Sequence, residues 1–332
     1  MRRVHRITII LGGFFLAILI WKTGPVALYE HFRALGAWLF AMIFMNGLGK
    51  LFHALGWRRC LTGLCRSTPF HLVYSIRMVG FSINHLTPSA TVGGDVIMGT
   101  LLSRIHPGAD GAASALIGKL SHTLAQLLFA LMGTVIIVLE MNLSFGVWVG
   151  AISGSFLLGA SLFCFVIVQK RGTLGSIMRR FLEHRRSGRF LKNVSHHVTQ
   201  IDDRLKRYYA DRPRDFPLSV FWNFLGLACG IATTWFFFLG VTENPSFATS
   251  AAVCFLATWF ELITFALPSN IGVLEGTSIV ALKLAGYPAA LGLSYGIALR
   301  VGQLFWSAVG LVLYAYVLRV LRRTTKWPEF AR

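Results

Sequence analysis

The sequence has few charged residues, and very few of these are acidic. Only 14% of its 332 residues are charged, with 13 Asp and Glu against 32 Lys and Arg. Because soluble domains carry about a quarter charged residues, this shortage excludes an ordinary soluble protein. Hydrophobic residues make up 55% of the chain, and several apolar runs approach or pass the roughly 20 residues that span a bilayer. We therefore predict an all-α polytopic integral membrane protein.

Common catalytic and binding motifs are also missing. The chain has no HExxH, no G-x-S-x-G, no P-loop and no Cys/His cluster with metal-ligand spacing. We expect no metal and no cofactor. No nucleic-acid partner is expected either, because the net charge of +19 comes from basic residues grouped between the apolar runs, as membrane topology requires. The cysteines are expected to be free structural thiols; they are Cys60, Cys65, Cys164, Cys229 and Cys254.

The apolar segments predict helices that cross the membrane and helices that are too short to do so. The N-terminal run lacks a small-residue cleavage site, so we interpret it as an uncleaved first helix. Two pairs of segments are interrupted at a Pro-Ser, which favours re-entrant hairpins at 70–104 and 246–286. Six crossings remain, predicted at 5–21, 36–56, 112–139, 145–168, 216–240 and 289–318.

This topology puts nearly all Lys and Arg on one side of the membrane, which identifies that side, with both termini, as cytoplasmic. Making only one of the two pairs a full crossing would reverse everything after it and remove this bias. The predicted organisation is a first membrane repeat at 1–168, a basic cytosolic linker at 169–215, a second repeat core at 216–318 and a basic cytosolic tail at 319–332.

The two hairpins carry the same residue types at the same spacing. TPSATVGGDV and LPSNIGVLEG each have an acid seven residues after the proline, Asp95 and Glu275. A base follows inside the next apolar helix, Lys119 in one half and Arg300 in the other. Proline, acid and base in register predict a duplication, with the halves inverted across the membrane. Inverted repeats with interrupted helices are typical of transporters whose substrate binds near the midplane.

The candidate binding site combines these charges with the hairpin backbones. An ionisable residue inside a membrane usually lines a cavity or has a partner, so Lys119 and Arg300 are candidates to hold a lipid phosphate. The alternative is that they pair with Asp95 and Glu275 and tie each hairpin to its closing helix. Backbone donors and supporting side chains complete the candidate set. These are Ser89, Gly93, Gly94, Pro268, Ser269, Asn270 and Gly272, and the supporting Arg77, Asn84, His85, His122, Glu261 and Gln303.

The second hairpin resembles the lysylphosphatidylglycerol synthase transmembrane region, or flippase-like, family. That family's pattern P-G-G-[IL]-G-x-x-E, followed by an apolar helix with a base, matches at Pro268, Gly272, Glu275 and Arg300. Ser269 and Asn270 replace the two glycines. The sequence NHLTPSATVGGD resembles the family's first half. Because LRRTTKWPEFAR is followed by no aminoacyl-transferase sequence, we expect a stand-alone member, as in the hopanoid-associated subgroup.

The resemblance implies a bacterial inner-membrane flippase that moves a polar lipid or a lipid-linked precursor between leaflets. Its expected partners are membrane lipids with an anionic or phosphate-bearing headgroup, while a homo-oligomer and lipid-biosynthesis partners stay open. An embedded lipid-modifying enzyme and an accessory scaffold of a lipid-synthesising complex are the alternatives. The enzyme predicts a new lipid product, and the scaffold predicts neither exchange nor product.

Overall fold

The computed structural model is helical almost throughout its described part. It describes residues 35–86, 93–140, 204–242, 245–264 and 273–324, with isolated residues at 33 and between 146 and 160. No strand occurs within them, and a short 3₁₀ helix spans Gly63–Ser67. The α-helices of this part are α1 Ala37–Arg59, α2 Phe70–Leu86, α3 Gly93–Ile105, α4 Asp110–Glu140, α5 Asp215–Val241, α6 Phe247–Thr264, α7 Val273–Leu284 and α8 Ala289–Thr324.

Four of these helices are long and apolar enough to cross a membrane. They are the candidate spans Ala37–Arg59, Asp110–Ile137, Asp215–Val241 and Ala289–Arg322. Less than half of each apolar stretch is buried in the protein, and large apolar side chains such as Phe40, Phe44 and Val312 are exposed. Such a surface requires lipid around it. The all-α polytopic membrane fold is confirmed, while the predicted crossings at 5–21 and 145–168 lie wholly or mostly outside the described residues.

The predicted hairpin segments form short helices. Helices α2, α3, α6 and α7 have 17, 13, 18 and 12 residues, so they are about 18 to 27 Å long, shorter than the roughly 30 Å hydrocarbon core. Their bounds agree with the predicted segments to within a few residues. The Pro-Ser breaks, with Ser89, Pro268, Ser269, Asn270 and Gly272, lie outside the described residues, and at Glu261 only the backbone is described.

The two helix pairs pack at opposite ends of the long helices. Helices α2 and α3 join a core at the end where α1 finishes and α5 begins, with Trp57, Ile76 and Phe216 among its buried members. Helices α6 and α7 join a second core at the other end, which includes Leu39 and Tyr295. This arrangement is the one expected of inverted halves. The return of each pair to its own side of the membrane stays a prediction.

Each half also packs across the other. Helix α2 lies on α8, and helix α6 lies on α4. Gly310 and Gly133 permit these contacts, because a Cβ on Gly310 would overlap the Ser82 side chain and one on Gly133 would overlap the ring of Phe255. Small residues of this kind let membrane helices approach closely. The closing helix of each half therefore holds the first hairpin helix of the other half.

The described end of the predicted linker is attached to the membrane helices. Residues 204–211 are helical, and Leu205 and Tyr208 are buried in the core formed with α1 and α5. Asp215 lies 3.4 Å from both Arg66 and Arg212, and Arg204 lies 3.2 Å from Asp110. These contacts fix this stretch against the helix ends, so it is more than a solvated connection. Residues 169–203 and the tail from 325 lie outside the described part.

Two cysteines just after the end of α1 are expected to resist alkylation. Cys60 and Cys65 are buried, and burial raises the pKa of each thiol to about 12. Since the thiolate is the reactive form, little of it exists at neutral pH in the folded protein. Maleimide labelling at pH 7.5, mapped by mass spectrometry, should miss both until denaturation. Leu64→Cys, at a position that is 67% exposed, is the matched positive control; early labelling of Cys65 would contradict the burial.

Candidate functional site: two intramembrane ion pairs

An ion pair joins the second hairpin to its closing helix. Glu275 lies in the first turn of α7, where a carboxylate is stabilised by the helix dipole, and Arg300 lies within α8. The Arg300 Nε and Nη2 atoms donate to Glu275 Oε1 and Oε2 at 2.9 and 3.0 Å. This two-point contact buries the arginine, whose side chain is only 5% exposed against 18% for the glutamate. The pair therefore holds α7 against α8 through two hydrogen bonds.

A looser ion pair occupies the corresponding place in the first half. Asp95 lies in the first turn of α3, and Lys119 lies within α4. Lys119 Nζ is 3.1 Å from Asp95 Oδ2, a single contact. The lysine side chain is 38% exposed, in contrast with Arg300. The two halves therefore repeat the same acid and base but hold them differently.

The helices of the first hairpin are also joined by an amide cap and by facing glycines. The backbone N–H of Gly94 donates to Asn84 Oδ1 at 2.7 Å, which satisfies one of the free donors at the start of α3. A Cβ on Gly94 would overlap the carbonyl oxygen of Gly80. His85 donates from Nδ1 to the Phe81 carbonyl at 2.9 Å, and its ring packs against the tilted ring of Phe81 with centres 4.0 Å apart. Asn84 and His85 therefore organise the hairpin itself.

A family model extends over almost all of this architecture. The model described as "Lysylphosphatidylglycerol synthase TM region" matches residues 6–324 and so includes both hairpins and both ion pairs. The chain belongs to this family. No curated protein and no solved structure matches it. Membership gives the chain a function related to membrane lipids and identifies it as a multi-pass membrane protein. The predicted family is thus confirmed.

Several of the predicted site residues make specific contacts in the structure. The acid–base pairing that the sequence left as an alternative is formed in both halves. Gln303 accepts a hydrogen bond from Arg300 at 3.5 Å, and His122 lies 3.3 Å from Asn223 of α5. The role of these residues in binding stays a prediction.

Three polar residues of α1 adjoin the site and were not predicted. Asn46, Lys50 and His53 follow one another at helical spacing, so they lie on one face of an apolar helix. Lys50 donates to Asn46 Oδ1 at 2.7 Å and lies 3.7 Å above the ring of Phe81 in the first hairpin. An i, i+4, i+7 stripe of polar residues within a membrane span is the signal that identifies them.

Histidines and an asparagine form a polar network behind the first ion pair. His53 and His122 contact each other edge to face, with ring centres 4.8 Å apart. Asn223 Nδ2 donates to the Ser219 carbonyl at 3.0 Å, so its Oδ1 faces the two histidines, with His53 Nδ1 at 3.0 Å. Each histidine therefore donates from Nδ1 to the amide oxygen. The network fastens α1, α4 and α5 together beside the first hairpin.

Proposed function

We propose that this protein moves a polar lipid, or a lipid-linked precursor, between the leaflets of a bacterial inner membrane. The headgroup enters a cavity between the two hairpins, and the acyl or isoprenoid chain stays in the surrounding lipid. Both termini lie in the cytoplasm in this proposal, as the distribution of basic residues requires. The residues that meet the headgroup come from the two ion pairs and from the hairpin backbones beside them.

The observation that carries the proposal is the position of the two ion pairs. Each pair joins a short hairpin helix to a long helix, and charges inside a membrane domain are costly unless they serve a cavity or a partner. Interrupted helices at the interface of inverted repeats are where transporters bind their substrates. The crosswise contacts of α2 with α8 and of α6 with α4 pack the two halves against each other. In this proposal a movement at one hairpin is transmitted to the other through these contacts.

Reconstitution in liposomes tests the proposal. The purified protein is mixed with labelled phospholipids and a polar lipid extract of the source cells, including hopanoid lipids where these are present. The measured quantity is the fraction of label that becomes accessible from outside with time. We expect exchange by the wild-type protein, and a loss of about tenfold or more with Lys119→Ala, because a charge-assisted contact with the headgroup is removed.

Chemical analysis of the same lipids separates the other functions. Exchange with unchanged lipid masses supports transport. A new lipid species by mass spectrometry, without exchange, would replace transport by an embedded lipid-modifying activity. If neither occurs with any lipid in the extract, the proposal of transport by this chain alone is wrong, and a role in holding lipid-synthesising enzymes together takes its place.

A further inference from the structure

Arg77 is a cation inside the first hairpin that uses little of its hydrogen-bonding capacity within the described part of the chain. It lies seven residues into α2, about 10 Å along the helix from Phe70. Among the described residues, its hydrogen-bond contact is the Met98 sulfur, with Nη1 3.8 Å away. A thioether is a weak acceptor, whereas a guanidinium has five N–H donors. A half-buried arginine whose described hydrogen-bond partner is so weak is suited to bind an acceptor group of a ligand.

The charges around Arg77 leave room for one more anion. Met98, the residue that Arg77 contacts, lies one turn along α3 from Asp95, whose Oδ2 is 3.1 Å from Lys119 Nζ. Two cations therefore lie on the side of α3 that carries this one carboxylate. The histidine–asparagine network behind the first ion pair supplies no anion, because imidazole and amide side chains carry no negative charge. One added negative charge would balance the sum of Arg77, Lys119 and Asp95.

The second half has no arginine at the position that corresponds to Arg77 in the sequence. Eleven residues before the hairpin proline the first half has Arg77, and the second half has Ala257. The base of the second half, Arg300, is buried and held at two points by Glu275, whereas Lys119 is 38% exposed and held at one. Lys119 has one contact to break before it turns towards a ligand, whereas the buried Arg300 has two. The binding of an anion is thus favoured in the first half over the described part of the second.

We propose that Arg77 and Lys119 form an anion subsite for a phosphodiester headgroup with a single negative charge. The guanidinium of Arg77 provides paired donors to two phosphate oxygens, and Lys119 provides a compact charge that it shares with Asp95. The Arg300–Glu275 pair stays closed and holds the second hairpin. This inference rests on the proposed lipid function and assigns the headgroup phosphate to one of its two ion pairs.

Binding to the detergent-solubilised full chain tests the subsite separately from transport. The measurement is the rise in melting temperature with short-chain phosphatidylglycerol, short-chain phosphatidylcholine and inorganic phosphate as separate probes. We expect phosphatidylglycerol to stabilise the protein and phosphatidylcholine to do so much less. Arg77→Gln should raise the half-maximal lipid concentration by about 10- to 100-fold, the value of a charge-assisted hydrogen bond. Arg77→Lys should restore part of the affinity.

Control variants and the liposome assay make every outcome decisive. Arg319→Gln removes an exposed arginine at the far end of α8 and should leave binding unchanged. Equal response of wild type and Arg77→Gln to phosphatidylglycerol, or no response of either, would overturn the subsite. A full response to inorganic phosphate alone would identify a site for free phosphate and overturn the lipid assignment. Arg77-dependent binding without leaflet exchange would uphold the subsite while the transport proposal fails.

Discussion

Arg300→Gln is expected to cost about 3–5 kcal/mol in the free energy of unfolding, because it leaves a carboxylate without its buried partner. The Arg300 side chain is 5% exposed and donates to both oxygens of Glu275 at 2.9 and 3.0 Å. Without it, the Glu275 carboxylate loses two charge-assisted hydrogen bonds at the contact between α7 and α8. This loss loosens that contact, so lipid exchange should fall as well.

The double variant Glu275→Gln/Arg300→Gln tests whether the two side chains stabilise the protein as a pair. Two amides of similar size can hydrogen-bond across the same gap. The double variant should therefore lose less free energy of unfolding than the two single variants lose together. Reversible unfolding in mixed detergent micelles measures all four members of the cycle, with Arg319→Gln as the control for loss of an arginine. Additive losses would mean that the two side chains do not act as a pair.

Gly94→Ala is expected to have the second largest effect, about 1–3 kcal/mol, through overpacking of the first hairpin. A Cβ at this position would overlap the Gly80 carbonyl oxygen and come within 2.7 Å of the Asn84 side chain. Backbone atoms cannot move aside as a flexible side chain can. The methyl group would push α3 away from α2, break the cap from Asn84 and displace Asp95, which follows it directly.

Gly276→Ala is the matched control for this variant. Gly276 lies beside the hairpin acid of the second half, as Gly94 does in the first, and a Cβ there would meet no atom of the described residues within 4 Å. It should be neutral or slightly stabilising, since alanine favours helix over glycine. Melting temperature and leaflet exchange are measured for both variants. Equal losses of melting temperature and exchange in the two variants would contradict the overpacking at Gly94 and indicate a general need for glycine flexibility.

Helix positions and the charged candidate residues could be predicted from the sequence. The length of the apolar runs located α1, α4, α5 and α8, because a membrane span needs about 20 apolar residues. The Pro-Ser interruptions marked where the other apolar segments divide into the short helices. The ends were less predictable: α8 continues to Thr324, six residues past its predicted end, since Leu and Arg favour helix beyond the apolar run. The repeated spacing identified Asp95, Lys119, Glu275 and Arg300 as candidates, but their pairing was one of two roles that the sequence left open.

The sequence by itself determined that this chain is a polytopic helical membrane protein, because hydropathy and charge depend only on local composition. Only the tertiary structure decided which helices meet: α2 lies on α8, and α6 on α4. It also decided that Arg300 is buried and held at two points while Lys119 is partly exposed, and that Arg77 contacts Met98 on α3. Such neighbours depend on helix rotation and on close contacts at glycines, which residue spacing along one chain does not specify.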